Sequence, residues 1–233
     1  MKIKLEHPVI QKCSQECIDY VIGKSTSLGG FIGRIQKTAE KIALTPDNTT
    51  NRFYTPTEPN LTPSGTNTSN KFKGDIFELF TECFIKLSPI DDRIGVFDYH
   101  LVTEDDTGVD GWGYDRSGDK VTVQVKYRMW DYQLDSIKEH LDNFRYTSYK
   151  KFGIDPKAVG KMLIITTGKQ IHWETLERDF SGKVRCISNN ASYGCLKGAG
   201  NKTIDSLFSL KTIVDNNKHF WDIFRESVNK SKG

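Results

Sequence analysis

The chain has 233 residues, of which 36% are hydrophobic and 27% charged, enough to bury the core of one domain or of one domain with an appendage. No apolar run approaches the length of a membrane span and the N-terminus has no apolar signal region, so we expect no membrane partner. Five scattered cysteines are typical of reduced thiols in a cytoplasm, and the net charge of +3 permits a polyanionic partner without requiring one.

The first 44 residues predict a pair of helices. Apolar residues recur at helical spacing over residues 7–22 and again over residues 31–44. Gly29 and Gly30 lie between these two patterns and are expected to separate the helices. Residues 1–44 should therefore form a helical N-terminal appendage.

A segment of low complexity and a third amphipathic helix follow. Residues 45–70 are mostly Thr, Asn, Pro, Ser and Gly, a composition that cannot bury enough apolar surface to pack and that predicts a linker or long loop. Residues 71–87 carry a helical apolar stripe and end before a proline. Glu78 falls near the border of that stripe and is aligned with Asp75 and Glu82.

Residues 109–128 predict a β-hairpin, after a first strand over residues 96–102. Valines alternate with polar residues in its second half, with Val121, Val123 and Val125 on one face and Thr122, Gln124 and Lys126 on the other. This period of two is typical of a strand with one buried side. Residues 116–118 resemble a three-residue hairpin loop, and that loop would place Asp110 opposite Gln124. Asp110, Gln124 and Lys126 should then converge on the polar side of the hairpin.

The rest of the chain alternates helices and strands. We predict a helix over residues 133–152, a strand covered on both faces over 161–166, a helix over 171–180, a final edge strand over 184–187, and closing helices over 203–215 and 218–228. The order α-β-β-β-α-β-α-β predicts an α/β sandwich with a mixed sheet. Residues 71–190 would form its core, and residues 191–233 a C-terminal helical extension.

Three short motifs in this order resemble the PD-(D/E)xK nuclease superfamily, and most of all its Mrr-like branch and the nuclease heads of single-chain restriction enzymes. They are Gly74-x-x-Phe77-Glu78 on a helix, Gly108-Val109-Asp110-Gly111, and Val123-Gln124-Val125-Lys126. The resemblance covers residues 71–189. It implies a restriction-endonuclease-like three-layer sandwich around a mixed sheet of four to five strands, with extra helices at both termini. The sequence departs from most of the superfamily at Gln124, where an Asp or Glu is usual.

The resemblance also implies a role for each of five residues. Asp110 would bind Mg²⁺ directly, helped by the Gln124 side-chain oxygen and the Val125 carbonyl, with Mn²⁺ as a substitute. Glu78 would reach the metal or its water shell from the helix. Lys126 would hold or deprotonate the attacking water and balance charge on the phosphate. A hard cation beside an ammonium group is the mixture that phosphodiester hydrolysis requires.

Aromatic and basic residues after the second strand of the hairpin suggest contacts with a nucleic-acid backbone. The candidates are Arg116, Tyr127, Arg128, Trp130, Lys138 and Arg145. The alternative interpretation, that these charges solubilise a helix, stays open. For Asp110 and Lys126, the alternative is an ordinary solvated strand face.

The sequence therefore predicts a Mg²⁺-dependent DNA endonuclease in the cytoplasm of a bacterial or phage-infected cell. Three alternatives remain: a junction resolvase acting as a symmetric homodimer, an RNA-directed nuclease, and a catalytically silent nucleic-acid-binding subunit of a larger restriction or phage system.

Overall fold

The computed structural model describes residues 3–45, 51–55, 65–87, 94–103, 108–128, 138–168, 184–193, 204–205 and 208–233. The helices are α1 (Val9–Lys12), α2 (Gln15–Ile18), a π-helical segment (Asp19–Gly23), α3 (Leu28–Ala43), α4 (Gly65–Leu87), α5 (Lys138–Lys150), α6 (Leu210–Asn216) and α7 (Phe220–Lys232). The strands are β1 (Phe97–Leu101), β2 (Gly111–Tyr114), β3 (Lys120–Lys126), β4 (Met162–Thr166), β5 (Val184–Ile187), β6 (Ser192–Tyr193) and β7 (Ile204–Asp205).

The chain divides into two units. The first combines Met1–Cys83 with Val214–Gly233, and the second is Phe84–Ile213. The four segments predicted from the sequence, with boundaries at residues 44, 70 and 190, stay a prediction. No helix among the described residues has both the length and the apolar character needed to cross a bilayer.

The first unit has an aromatic core to which both ends of the chain contribute. The Phe31 ring of α3 lies 5.3 Å from Phe80 of α4 and 5.4 Å from Trp221 of α7. Phe220 of α7 also lies 5.3 Å from Phe80. A hydrogen bond also joins α3 to the C-terminal part of this unit, because the Leu28 N–H donates to the Asp215 carboxylate at 3.0 Å. The N-terminal and C-terminal helices therefore share one core.

The predicted single helix over residues 7–22 is wrong. The helix stops at Cys13, whose backbone is extended and bridges Tyr54. A new helix starts at Ser14, whose side chain accepts a hydrogen bond from the Cys17 N–H. The bridge to Tyr54 supplies a backbone partner from a remote segment, so the apolar period of the sequence does not continue as one helix.

Gly29 and Gly30 do not separate two helices, because both lie inside the first turn of α3. Ser27 caps that helix and accepts from the Gly30 N–H at 3.2 Å. The capping serine satisfies a backbone donor that the glycines would otherwise leave exposed, so the helix begins earlier than the apolar pattern indicates. Likewise, α4 begins at Gly65, inside the segment predicted to be a linker, and ends at Leu87 as predicted.

The second unit holds one mixed sheet in the order β1-β2-β3-β4-β5-β6-β7. Strands β1, β2 and β3 are antiparallel, β3, β4 and β5 are parallel, and the last two pairings are antiparallel. Five of the strands have at least four residues, while β6 and β7 have two each. The predicted α/β chain with a mixed sheet and helices at both ends is confirmed.

Strand β3 is buried on both faces, so the predicted single buried face is wrong. Residues 121–125 are all buried. Helix α5 covers the face that carries the polar residues, where the Thr122 hydroxyl lies 2.8 Å from the Ser148 hydroxyl. On the same face, Met162 and Ile164 of β4 pack in a cluster with Leu141 and Phe144 of α5. Since β3 lies between β2 and β4, it has no open edge either.

Two further expectations are corrected towards the C-terminus. Strand β5 is not a final edge strand, because it pairs with β6, which pairs with β7. The helix predicted over residues 203–215 begins only at Leu210, and Ile204–Asp205 is extended. The helix predicted over residues 171–180 lies outside the described residues, as do residues 133–137 of the helix predicted over 133–152.

Candidate active site

The hairpin has the predicted register. Gly111 pairs with Val123 and Trp112 with Thr122, so the next rung places Asp110 opposite Gln124. The Asp110 backbone is held on both sides, since its N–H donates to the Val123 carbonyl at 2.9 Å and its carbonyl accepts from the Val102 N–H at 3.1 Å. Backbone pairing therefore fixes Asp110 between β1 and β3.

The Asp110 carboxylate is bonded to the end of β3. Its Oδ2 accepts from the Val125 N–H at 2.6 Å. A carboxylate that accepts a backbone N–H forms a charge-assisted hydrogen bond, which holds the side chain in one orientation. Asp110 and the Val125 N–H are thus in direct contact, while the predicted role of Asp110 and of the Val125 carbonyl as metal ligands stays a prediction.

Gln124 is buried, with 1% of its surface exposed. Its Nε2 donates to the Gly108 carbonyl at 3.0 Å, while its Oε1 is buried without a hydrogen-bond partner among the described residues. Because a carbonyl oxygen can only accept, Gly108 determines which end of the amide carries the nitrogen. An unsatisfied buried acceptor costs about 1–3 kcal/mol, and a ligand that bound Oε1 would offset that cost.

Helix α5 fixes the position of the Gly108 carbonyl. Gly108 has φ +66, and a Cβ added there would lie 3.0 Å from the Phe144 backbone nitrogen and 3.1 Å from the Asn143 side-chain nitrogen. Only glycine fits both the left-handed backbone and this close approach. The contact explains why a glycine precedes Asp110 by two residues.

Lys126 ends β3 on the same face as Gln124. It is half-buried, and its side chain makes no ion pair or hydrogen bond with any residue that the structure describes. Its backbone carbonyl accepts from the Thr166 hydroxyl at 2.8 Å. Strand β4 therefore holds the Lys126 backbone in place, while the ammonium group remains able to bind an anion.

Glu78 lies in the first unit, where its Oε2 is 3.0 Å from His7 Nε2. His7 Nδ1 accepts from the Val9 N–H at 3.2 Å, so Nε2 carries the proton and donates to Glu78. The Glu78 side chain is 29% exposed. Glu78 is thus bonded to the N-terminal segment, and its role at a metal stays a prediction.

The two carboxylates aligned with Glu78 also accept hydrogen bonds from other segments of the first unit. The fully buried Glu82 accepts from the Glu6 N–H at 2.8 Å and from the His7 N–H at 3.1 Å. Asp75 accepts from the Tyr54 hydroxyl at 2.7 Å. Burial and the Asp75 charge raise the pKa of Tyr54. This acidic face of α4 therefore attaches the N-terminal residues and residues 51–55 to the helix.

The residues predicted to contact nucleic acid differ in exposure and in their partners within the protein. Arg116 is exposed in the hairpin turn. Tyr127 is half-buried, and burial raises its pKa to about 12. The Arg128 guanidinium donates to the Tyr127 carbonyl at 2.8 Å, and Arg145 pairs with Asp142 at 3.0 Å.

Trp130 and the Lys138 side chain lie outside the described residues. Among the candidates that are described, Arg116 is therefore the most open to solvent.

Sequence reasoning missed an aromatic surface on the hairpin. The rings of His100 and Trp112 stack with centroids 4.5 Å apart, and Lys120 Nζ lies 5.1 Å from the Trp112 ring. Trp112 faces Thr122, so this surface shares a side of the sheet with Gln124. The predicted register already put Trp112 on that side and could have revealed it. Half-exposed aromatic and basic groups thus extend from the candidate site along the hairpin.

The donor set at the end of β3 suits a hard divalent cation. It consists of the Asp110 carboxylate and of the Gln124 Oε1, which has no hydrogen-bond partner among the described residues, and oxygen ligands of this kind are those that Mg²⁺ prefers. Within the described ranges, no group of three or more His, Cys, Asp or Glu side chains could hold a metal ion. A cation here would therefore depend on the amide and backbone oxygens as well as on Asp110.

Comparison with known proteins identifies no relative: no protein-family model, curated protein or solved structure matches the chain.

Proposed function

We propose that this chain is a Mg²⁺-dependent endonuclease that hydrolyses phosphodiester bonds in DNA. The observation that carries the proposal is the buried Gln124 side chain, whose unpartnered Oε1 is on the strand to which the Asp110 carboxylate is bonded. Lys126 follows on the same strand face. This order of carboxylate, amide oxygen and ammonium supports metal-assisted hydrolysis.

Each residue has one task in the proposed reaction. Asp110, the Gln124 Oε1 and the Val125 carbonyl would hold the ion, and the Val125 N–H keeps the carboxylate oriented. When bound, the ion neutralises phosphate oxygens and lowers the pKa of water. The Lys126 ammonium orients the attacking water in line with the scissile bond and balances the charge that develops on the phosphate.

The test is a cleavage assay with purified protein. Supercoiled, linear, single-stranded and branched DNA, together with RNA, are incubated with Mg²⁺, Mn²⁺ or excess EDTA. We expect cleavage of DNA with either metal and none in EDTA. Undiminished cleavage in EDTA would exclude the mechanism, and a marked preference for branched DNA or RNA would favour the resolvase or the RNA-directed nuclease.

Matched variants locate the site. Asp110→Asn and Lys126→Gln should each lower the cleavage rate by several orders of magnitude while the circular dichroism spectrum is retained. Asp119→Asn is the control, because Asp119 lies in the same hairpin with its side chain 64% exposed. If Asp110→Asn and Asp119→Asn cleave equally well, the site has been misplaced.

A second candidate function is a catalytically silent DNA-binding subunit. It is favoured by the side chains around the site, because within the described ranges no group of three or more His, Cys, Asp or Glu could hold a metal ion. This function predicts DNA binding in EDTA and no cleavage under any metal condition, so the same assay separates the two candidates.

A further inference from the structure

Three cations converge on one tyrosine in the first unit. Lys24 Nζ lies 5.8 Å from the centre of the Tyr20 ring, and Arg34 Cζ and Lys41 Nζ each lie 5.4 Å from it. We call Tyr20, Lys24, Arg34 and Lys41 the Tyr20 cluster. Tyr20 stands on the π-helical segment, and Arg34 and Lys41 stand on α3.

The three cations have no acidic partner in the described part of the chain. None of them makes an ion pair or a side-chain hydrogen bond there. The neighbouring acids are engaged elsewhere: Asp19 accepts from Gln15 at 2.8 Å, Glu40 from Gln36 at 3.2 Å, and Glu16 pairs with Arg52 at 3.2 Å. No ion pair with a described residue therefore neutralises the cations of the Tyr20 cluster.

Mutual repulsion opposes bringing these cations together, and a bound anion would relieve it. All three cations lie within 5.8 Å of one point, so their separations are comparable to the screening length of roughly 8–10 Å in physiological salt. The Tyr20 ring offsets part of the repulsion through its negative face. A polyanion would offset the remainder.

Arg34 also has an unused donor. Its Nε is buried and has no hydrogen-bond partner among the described residues. The guanidinium is thus partly desolvated on one edge. Arginine binds planar or tetrahedral oxyanions such as phosphate through two parallel N–H groups, and the remaining N–H groups of Arg34 can serve a phosphate in this way.

We infer that the Tyr20 cluster is a second DNA-binding surface, which holds the phosphate backbone of duplex DNA without reading its sequence. The choice of DNA as the polyanion rests on the proposed function, whereas the inference that phosphate groups bind is argued from the Tyr20 cluster itself. Residues that sequence analysis treats as a helical appendage thereby gain a role in substrate binding.

The test measures binding without cleavage. A short fluorescein-labelled duplex is titrated with the protein in EDTA at several KCl concentrations. The triple variant Lys24→Gln/Arg34→Gln/Lys41→Gln should bind roughly tenfold or more weakly at low salt. Each neutralised phosphate contributes about −0.9 to the slope of log K against log salt concentration. The magnitude of this slope should therefore be smaller by about two to three in the triple variant.

A matched triple variant controls for net charge. Lys4→Gln/Lys218→Gln/Lys230→Gln removes the same charge from exposed lysines of the first unit that lie outside the Tyr20 cluster. It should bind nearly as well as wild type. Equal weakening by the two triple variants, or no weakening by either, would overturn the inference. If the Tyr20 triple does not fold, the single variants Lys24→Gln and Lys41→Gln should each reduce the magnitude of the slope by about one.

Two further outcomes are decisive. Vesicles containing phosphatidylserine test for an anionic membrane surface: if the Tyr20 triple loses vesicle binding but keeps DNA binding, the assignment to DNA is wrong. If wild type never cleaves but the Tyr20 triple still loses affinity and slope, the proposed endonuclease fails and the DNA-binding surface stands.

Discussion

Gln124 combines two properties that rarely occur together, because it is buried and its side-chain oxygen has no hydrogen-bond partner. The sequence predicts its position opposite Asp110 correctly, since strand periodicity and loop length are local features. Its burial could not be predicted in the same way. The cover comes from Ser148 and its neighbours on α5, which contact the strand only after the chain has folded back.

The structure sharpens the expected effect of Gln124→Glu. A glutamate cannot donate to the Gly108 carbonyl, so a buried carboxylate would face a carbonyl oxygen. We expect a lower Tm than wild type in EDTA and a larger rise in Tm on adding Mg²⁺, because the added charge tightens metal binding. The Mg²⁺ concentration for half-maximal cleavage should fall. Thermal melts and rate titrations measure both quantities.

Gln124→Leu is the counterpart without an oxygen. It removes the unsatisfied acceptor, so its Tm should not change on adding Mg²⁺. Its cleavage activity should be lost. If wild type and both variants show the same Mg²⁺ midpoint, Gln124 is not a ligand.

Gly108→Ala should destabilise the protein by roughly 1–3 kcal/mol and also reduce cleavage. The added Cβ would lie 3.0 Å from the Phe144 backbone nitrogen at φ +66. Moving Gly108 would displace the carbonyl that orients Gln124. Gly118→Ala is the matched control, because Gly118 has φ +81 but nothing within 4 Å of an added Cβ. Urea unfolding should show the larger loss for Gly108→Ala, and only this variant should lower the rate per folded molecule.

At the scale of the elements, the hairpin shows how far local sequence information reaches. The turn between Asp115 and Asp119 and the valine alternation predict which residues of β2 and β3 pair. They do not predict the partner that stabilises the turn. Lys161, which precedes β4, binds both Asp115 and Asp119, the latter at 2.7 Å.

Asp115 should make the stability of the hairpin depend on pH. Burial alone would raise the pKa of Asp115, but hydrogen bonds from Lys161 and from the Asp119 and Ser117 N–H groups bring it below its ordinary value of 3.8. A depressed pKa contributes stability that is present above the ordinary value and is lost as the pH falls through the folded-state pKa. Asp115→Asn should thus cost about 1 kcal/mol at neutral pH, because the pair is partly screened by solvent.

The difference should shrink as the pH falls below 3.8. Denaturant unfolding of both proteins across the acid range measures it. Asp222→Asn is the control, since Asp222 is 64% exposed and pairs with Arg225 along one helix. A stability gap for Asp115→Asn that persists unchanged into acid would show that the carboxylate charge is not its cause.

At the scale of the whole molecule, the first unit brings together residues that no sequence pattern connects. Phe31 and Trp221 contact each other across almost the whole length of the chain. Local periodicity predicts that each lies on a helix but carries no information about the partner. The sequence-based division into an N-terminal appendage and a C-terminal extension therefore gives no hint of their shared core.

Variants of Glu78 and Glu82 separate a role in catalysis from a role in attaching the N-terminus. Glu82 is fully buried and accepts two backbone N–H groups, so Glu82→Gln should lower the free energy of unfolding by about 1–3 kcal/mol. Its cleavage rate per folded molecule should not change. Glu82→Gln thus calibrates what loss of attachment alone does to the enzyme.

Glu78→Gln retains an oxygen that can accept from His7 but loses the charge. Because the glutamine oxygen can keep the hydrogen bond to His7 at 3.0 Å, we expect a smaller loss of about 1 kcal/mol and a rate per folded molecule within a few-fold of wild type. Urea unfolding and cleavage at saturating Mg²⁺ measure the two quantities on the same samples. A drop in rate far beyond that of Glu82→Gln, with stability retained, would instead support the metal-binding role that the sequence predicts for Glu78.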